Sequence, residues 1–235
     1  MKSFMNAGPL VLASWAYGVT RAIRNVGFAI ILSTNTSAAE PVTIAALGDS
    51  LTQGYGLPAN QGFVPQLNAW LRSQDADVQL INAGVSGDTT AGGLSRVDWT
   101  LTPNVNALIV ALGGNDLLRG IDPAVSKENL AGILKAAALR SLPVLLVGMD
   151  APSNYGAEYE TAFDEMYGEL ANEFGVFLYP NFLGALVARK DTADTLRRFM
   201  QPDGIHPNAE GVALIVNDFG PSVLELVTAA ENGGS

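Results

Sequence analysis

The chain has 235 residues, 48% of them hydrophobic and 15% charged, a length and composition that suit one α/β domain with a sizeable core. Its formal net charge of −10 argues against nucleic acid and anionic membrane surfaces as partners. There is no cysteine and one histidine, His206, which excludes disulfides, a thiolate nucleophile, cysteine-based metal sites and any multi-histidine metal site.

The first stretch is set apart by its charges. Lys2, Arg21 and Arg24 are the only charged side chains before Glu40. An apolar run, Val26-Gly27-Phe28-Ala29-Ile30-Ile31-Leu32, follows, and small residues lead to Ser37-Ala38-Ala39. This order, a positive region, a short apolar region and a small-x-small site, predicts a signal peptide over residues 1–39, cleaved after Ala39. The apolar run is shorter than the roughly 20 residues a membrane span requires. Met1 to Val19 precede the pattern, which fits either an extended positive region or a translation start near Val19. Cleavage removes three cations and takes the net charge from −10 to −13. The expected destination is the periplasm or the exterior. Residues 40–230 then form one domain, with 231–235 as a flexible tail.

Within the domain, strand-like runs alternate with helical patterns. Val42 to Leu47 is a β-branched and aliphatic run ending at Gly48, read as a buried strand. Gln61 to Ser73 carries Phe63, Leu67, Trp70 and Leu71 at helical spacing. Val78 to Asn82 is a second strand. Val105 to Leu112 is near-continuously apolar, as a strand covered on both faces should be. Asp122-Pro123 predicts an N-cap with proline in the first turn, opening a helix with Leu130, Ile133, Leu134 and Ala137 on one face. Pro143 to Gly148 is a fourth strand, Gly156 to Phe174 a helix and Val176 to Tyr179 a fifth strand. Asn208 caps a last helix with Val212, Ile215, Val216 and Phe219 on its stripe, which Pro221 is expected to break or kink. Five strands alternating with helices predict an α/β, flavodoxin-like three-layer sandwich with a five-stranded parallel sheet of order 2-1-3-4-5. Its ligand would lie at the strands' carboxyl ends, near the switch point between strands 1 and 3.

Four polar stretches gather at that edge: Gly48-Asp49-Ser50 after the first strand, Asn82 to Thr89 after the second, Gly113-Gly114-Asn115-Asp116 after the third, and Asp203-Gly204-Ile205-His206-Pro207 before the last helix. Thr52 stands where a Gly-x-Ser-x-Gly elbow would need glycine, so the first is not that motif. Acyl transfer requires what these stretches hold. A serine hydroxyl needs a base, and His206 is the only imidazole. A carboxylate on the other ring nitrogen fixes the tautomer, and Asp203 lies three residues away. Oxyanion donors are available from the Gly84 N–H and the Asn115 side-chain amide. Each residue also has an ordinary alternative: a surface or core histidine, a turn aspartate, glycines allowing positive φ, an N-cap pair at Asn115-Asp116, and Ser50 capping a helix. Their joint placement, in the chain order Ser, Asp, His, favours the chemical reading.

Together the four stretches resemble the SGNH (GDSL) hydrolase family. The flanks Ser86-Gly87-Asp88-Thr89-Thr90, Leu117-Leu118-Arg119-Gly120, Asn154-Tyr155-Gly156 and Asn208 are similar to its branch of exported bacterial thioesterase, lysophospholipase and arylesterase enzymes. The resemblance covers about Val42 to Leu226. It implies a serine hydrolase of acyl esters or thioesters, with Ser50 as nucleophile and Asp203 and His206 completing a triad. Oxyanion donors would come from Ser50 N–H, Gly84 N–H and the Asn115 amide. It implies a pocket shaped by the loops after strands 3 and 4, with Asn154 and Tyr155 as candidate substrate-binding residues or, equally, an ordinary turn before the next helix. No metal or cofactor is expected, and the small members resembled act as monomers. Two other readings stay open: a carbohydrate O-deacetylase of the same family, and a non-catalytic periplasmic binding domain. A flavin-binding protein is compatible with the fold alone.

Overall fold

The structure is a computed structural model that describes residues 40–188 and 192–233. The expected signal peptide lies outside the described residues. Five strands form one parallel sheet: β1 (Val42–Gly48), β2 (Val78–Gly84), β3 (Ala107–Ala111), β4 (Val144–Val147) and β5 (Phe177–Tyr179). Their order is β2-β1-β3-β4-β5, as the alternation predicts. Strand β1 is buried at every residue, and the pleat divides its side chains. Ile44 and Ala46 enter one core cluster, Ala45 and Leu47 the other.

Helices cover both faces. In chain order they are α1 (Ser50–Gln53), α2 (Phe63–Ser73), α3 (Thr90–Thr100), α4 (Gly114–Leu118), α5 (Pro123–Ala138), α6 (Ala157–Phe174), α7 (Gly184–Val187), α8 (Thr192–Phe199) and α9 (Ala209–Gly233). Helices α2 and α9 pack together on one face through Phe63, Leu67, Leu71, Ile215, Phe219 and Val223. Helices α3, α5 and α6 cover the other through Val97, Leu130, Ile133, Phe163 and Leu170. The expected caps are in place. Asp122 accepts the Ala124 N–H at 2.9 Å with Pro123 in the first turn, and Asn208 accepts the Gly211 N–H at 3.0 Å.

One expectation is narrowed and one is corrected. Pro221 does not break the last helix, which continues to Gly233. Proline costs the Asn217 carbonyl its helical partner, about 3 kcal/mol in an exposed helix. Here Phe219, Val223 and Leu226 are fully buried beside it and hold the helix together. Glu231 to Gly233, expected in a flexible tail, are this helix's last turn. Helix α9 is long and apolar enough to cross a membrane by length and composition, but its apolar stripe is spent in the core.

Strand ends also move slightly. Strand β2 runs two residues past Asn82, pairing Gly84 with Gly48. A Cβ on Gly48 would overlap the Thr52 hydroxyl, and one on Gly84 the Gln53 backbone. Only glycine lets α1 start this close to the strand ends.

Candidate active site

The strand order reverses at β1, which pairs with β2 on one side and β3 on the other. The crevice beyond their carboxyl ends is where an open α/β sheet places its ligand. Ser50 stands there as the first residue of α1. Asp49 caps that turn, its Oδ1 accepting the Leu51 N–H at 2.9 Å. The Ser50 N–H, a helix-terminal donor, has no partner among the described residues.

His206 reaches Ser50 from the loop between α8 and α9. Its Nε2 lies 2.9 Å from Ser50 Oγ and its Nδ1 2.7 Å from Asp203 Oδ2. Nδ1–H donating to the carboxylate leaves the Nε2 lone pair to accept the serine O–H. The loop holds its own shape. Asp203 Oδ1 accepts the N–H groups of Ile205 and His206, each at 3.0 Å, and Gly204 takes φ +68. The Gln201 N–H donates to the His206 carbonyl at 2.7 Å. The hydrogen bond from the His206 side chain, with those two backbone N–H groups, holds Asp203 down at about 2. The Tyr55 ring lies 4.7 Å from the imidazole, centroid to centroid. Tyr55 is anchored in turn by Gln201 Nε2, which donates to its carbonyl at 2.8 Å.

Asn115 enters from α4. Gly113, at φ +123, makes the turn out of β3, and any side chain there would strike the Tyr167 hydroxyl. Asn115 Nδ2 donates to Asp49 Oδ2 at 3.2 Å, which fixes the amide and leaves its second N–H for a ligand. Asp49 is 3% exposed, and that burial raises its carboxyl to about 6 against the pull of the Leu51 and Asn115 hydrogen bonds.

Gly84 is a correction. Its N–H donates to Asn82 Oδ1 at 3.0 Å, and Gly84 does not line the cavity at Ser50. The strand simply extends through it. Gly87, three residues on, does line that cavity, at φ +80 and with an N–H that has no partner among the described residues. Arg96 of α3 fixes this loop: it donates to Asp88 Oδ2 at 2.7 Å, to the Ala83 carbonyl at 2.7 Å and to the Gly48 carbonyl at 2.9 Å. One guanidinium thus ties the ends of β1 and β2 to the loop that carries Gly87. Arg96 belongs to no motif; its one sequence signal is a lone basic residue on the helix that follows Asp88.

The cavity over Ser50 holds about 240 Å³ and is lined mainly by Leu51, Tyr55, Leu117, Met149, Leu183 and Ile205. Asn154 and Tyr155 are not among its lining residues. They form a 3-10 turn, with Tyr155 stacked on Tyr159 at 4.9 Å. Met149, and Leu183 beyond β5, occupy the wall expected of them. A larger hollow of about 610 Å³ lies between the α3–β3 and α5–β4 connections, with Asp98, Trp99 and Arg140 on its walls. Among the described residues no group of acidic or histidine side chains is arranged to hold a metal.

Fold and site together define a class: a flavodoxin-like α/β domain with a serine, a histidine and an aspartate hydrogen-bonded in series at the switch point. Residues 46–214 match the family model for GDSL-like lipases/acylhydrolases. The chain is 36% identical over 200 residues to esterase TesA of Pseudomonas aeruginosa, covering 85% of this chain and 95% of that protein. It is 35% identical over 191 residues to thioesterase 1/protease 1/lysophospholipase L1 of Escherichia coli strain K12, covering 81% and 86%. The solved structure of AlinE4, an SGNH-hydrolase family esterase, is 43% identical with a TM-score of 0.65, covering 79% of this chain and 96% of that one. The chain belongs to the GDSL-like (SGNH) lipase/acylhydrolase family, and its enzyme class is that of ester-bond hydrolases.

Proposed function

We propose that this protein is a serine esterase/thioesterase that hydrolyses acyl esters through an acyl-enzyme. The observation that carries the reading is the series Asp203–His206–Ser50, at 2.7 and 2.9 Å, opening onto a mainly apolar cavity. His206 Nε2 takes the Ser50 proton as Oγ bonds to the acyl carbonyl carbon. Asp203 keeps the imidazole in the required tautomer and stabilises the imidazolium. The oxyanion is held by the N–H groups of Ser50 and Gly87 and by the free amide N–H of Asn115. His206 then gives its proton to the departing alcohol or thiol. Water, deprotonated by the same nitrogen, attacks the acyl-enzyme, and the acid leaves with Ser50 restored. The hydrophobic walls suit an acyl chain.

We further propose that the charge pattern of residues 1–39 exports the protein and leaves Glu40 as its first residue.

A fluorophosphonate probe tests the activated serine. The protein should label stoichiometrically, and Ser50→Ala and His206→Ala should not. Labelling that persists in Ser50→Ala would overturn the assignment.

A further inference from the structure

We infer that Arg119 is a specificity-determining residue that recognises an anionic group, a phosphate, on the leaving-group side of the substrate. The inference rests on the hydrolase reading above. Arg119 follows α4 and is exposed. Its Nη2 donates to the Gly87 carbonyl at 2.7 Å, which holds the guanidinium at the rim of the Ser50 cavity that Gly87 lines. The remaining N–H groups of that fork have no partner among the described residues.

Charge bookkeeping makes the position unusual. The chain carries 23 acidic against 13 basic residues, so partners for a cation are plentiful. Among the described residues, Arg96, Lys127, Arg140, Arg197 and Arg198 each pair with a carboxylate. Arg72 and Lys135 do not, but both lie in the last turns of α2 and α5, helices that run back from the Ser50 edge to the opposite end of the sheet. Arg119 is therefore the described cation that stands at the cavity mouth with its charge uncompensated. The nearest carboxylate on the same loop, Asp88, is taken by Arg96 at 2.7 Å. A planar fork with one bond spent on orientation and the rest open is suited to phosphate oxygens. The acyl walls, Leu117, Met149 and Leu183, carry no charge, so the anion belongs to the group that departs.

The test uses two matched pairs with one acyl chain: octanoyl-coenzyme A against octanoyl-N-acetylcysteamine, and 1-octanoylglycerol 3-phosphate against 1-octanoylglycerol. The readout is the ratio of kcat/KM for the phosphorylated over the neutral member. Arg119→Gln should lower that ratio about tenfold, chiefly through KM, and Arg119→Lys should retain most of it. Added salt should lower the wild-type ratio and leave that of Arg119→Gln nearly flat. A change in the thioester pair alone assigns the anion to a nucleotide, and a change in the glycerol pair alone to a lipid headgroup. A variant that lowers both members equally makes Arg119 a brace for Gly87 and overturns the inference. If the wild type hydrolyses none of the four substrates, the hydrolase reading itself fails and this one falls with it.

Discussion

Asp49 shows how a single buried carboxyl can serve the site at a cost to the fold. Burial raises it from 3.8 to about 6, so the folded protein binds this proton more tightly than the unfolded chain. The sign follows from linkage. The stability this site gives up is untouched below pH 4, is lost as the pH rises from about 4 to about 6, and is fully lost above that, on the order of 3 kcal/mol. In return the ionised Oδ2 accepts from Asn115 while Oδ1 accepts from Leu51. Asparagine at 49 could satisfy only one of the two donors. Asp49→Asn should therefore flatten the loss of stability between pH 4 and 6 in urea unfolding and lower kcat about tenfold, because Asn115 is no longer held. An unchanged pH dependence of the unfolding midpoint would contradict the burial argument. The same neighbourhood shows where a motif misleads. Gly84 and Gly87 both lie in one glycine-containing stretch, and the apolar pattern of β2 stops at Asn82. Strand pairing continues to Gly84 and commits its N–H, while the positive φ of Gly87 is a property of the folded loop. Nothing in the local sequence distinguishes the two.

Hydrogen bonding between elements decides whether the strand ends hold the donors in place. Arg96 on α3 is the shared tie: its three acceptors, Gly48 O, Ala83 O and Asp88 Oδ2, come from β1, β2 and the Gly87 loop. Removing it takes the guanidinium from the Ala83 carbonyl and from a carboxylate that is largely shielded, and leaves the Gly48 carbonyl with the Val85 N–H alone. Arg96→Ala should cost about 3 kcal/mol by denaturant unfolding and lower kcat in the fraction that remains folded. Arg96→Lys should rescue little, because an ammonium cannot span three acceptors in a plane. A variant as stable as wild type would show that the loop is held by other contacts. Asp116 performs a similar task between α3 and α5. It is fully buried and accepts the Thr90 N–H at 2.8 Å, the Thr90 hydroxyl at 2.5 Å and the Ser126 hydroxyl at 2.9 Å. Asn115-Asp116 read as a possible capping pair; Asp116 instead anchors two neighbouring helices. Helical stripes such as Leu130–Ile133–Leu134 were legible because burial and period coincide. Ties such as Arg96 and Asp116 were not, because their partners are backbone atoms and hydroxyls far away in the chain.

The molecule as a whole follows from alternation. Short apolar strands separated by amphipathic helices leave few topologies once right-handed crossovers are required, and the observed order is the one that puts β1 between β2 and β3. That placement brings four stretches separated by as many as 156 residues to one edge, where Ser50 meets His206. The meeting of Ser50, His206 and Asp203 was readable because residue type, chain order and strand ends all pointed to the same place. The pocket wall was not. Asn154 and Tyr155 form a 3-10 turn in which Tyr155 stacks on Tyr159, and the wall comes from Leu117 and Leu118 after β3, Met149 after β4 and Leu183 beyond β5, whose exposure depends on how those connections turn. The central claim is that this geometry cleaves acyl esters through Ser50. Hydrolysis of p-nitrophenyl esters from acetyl to palmitoyl by the protein, with Ser50→Ala alongside, tests it most directly. The account predicts turnover that peaks at medium or long chains and disappears in the variant; no serine-dependent rate at any chain length would contradict it.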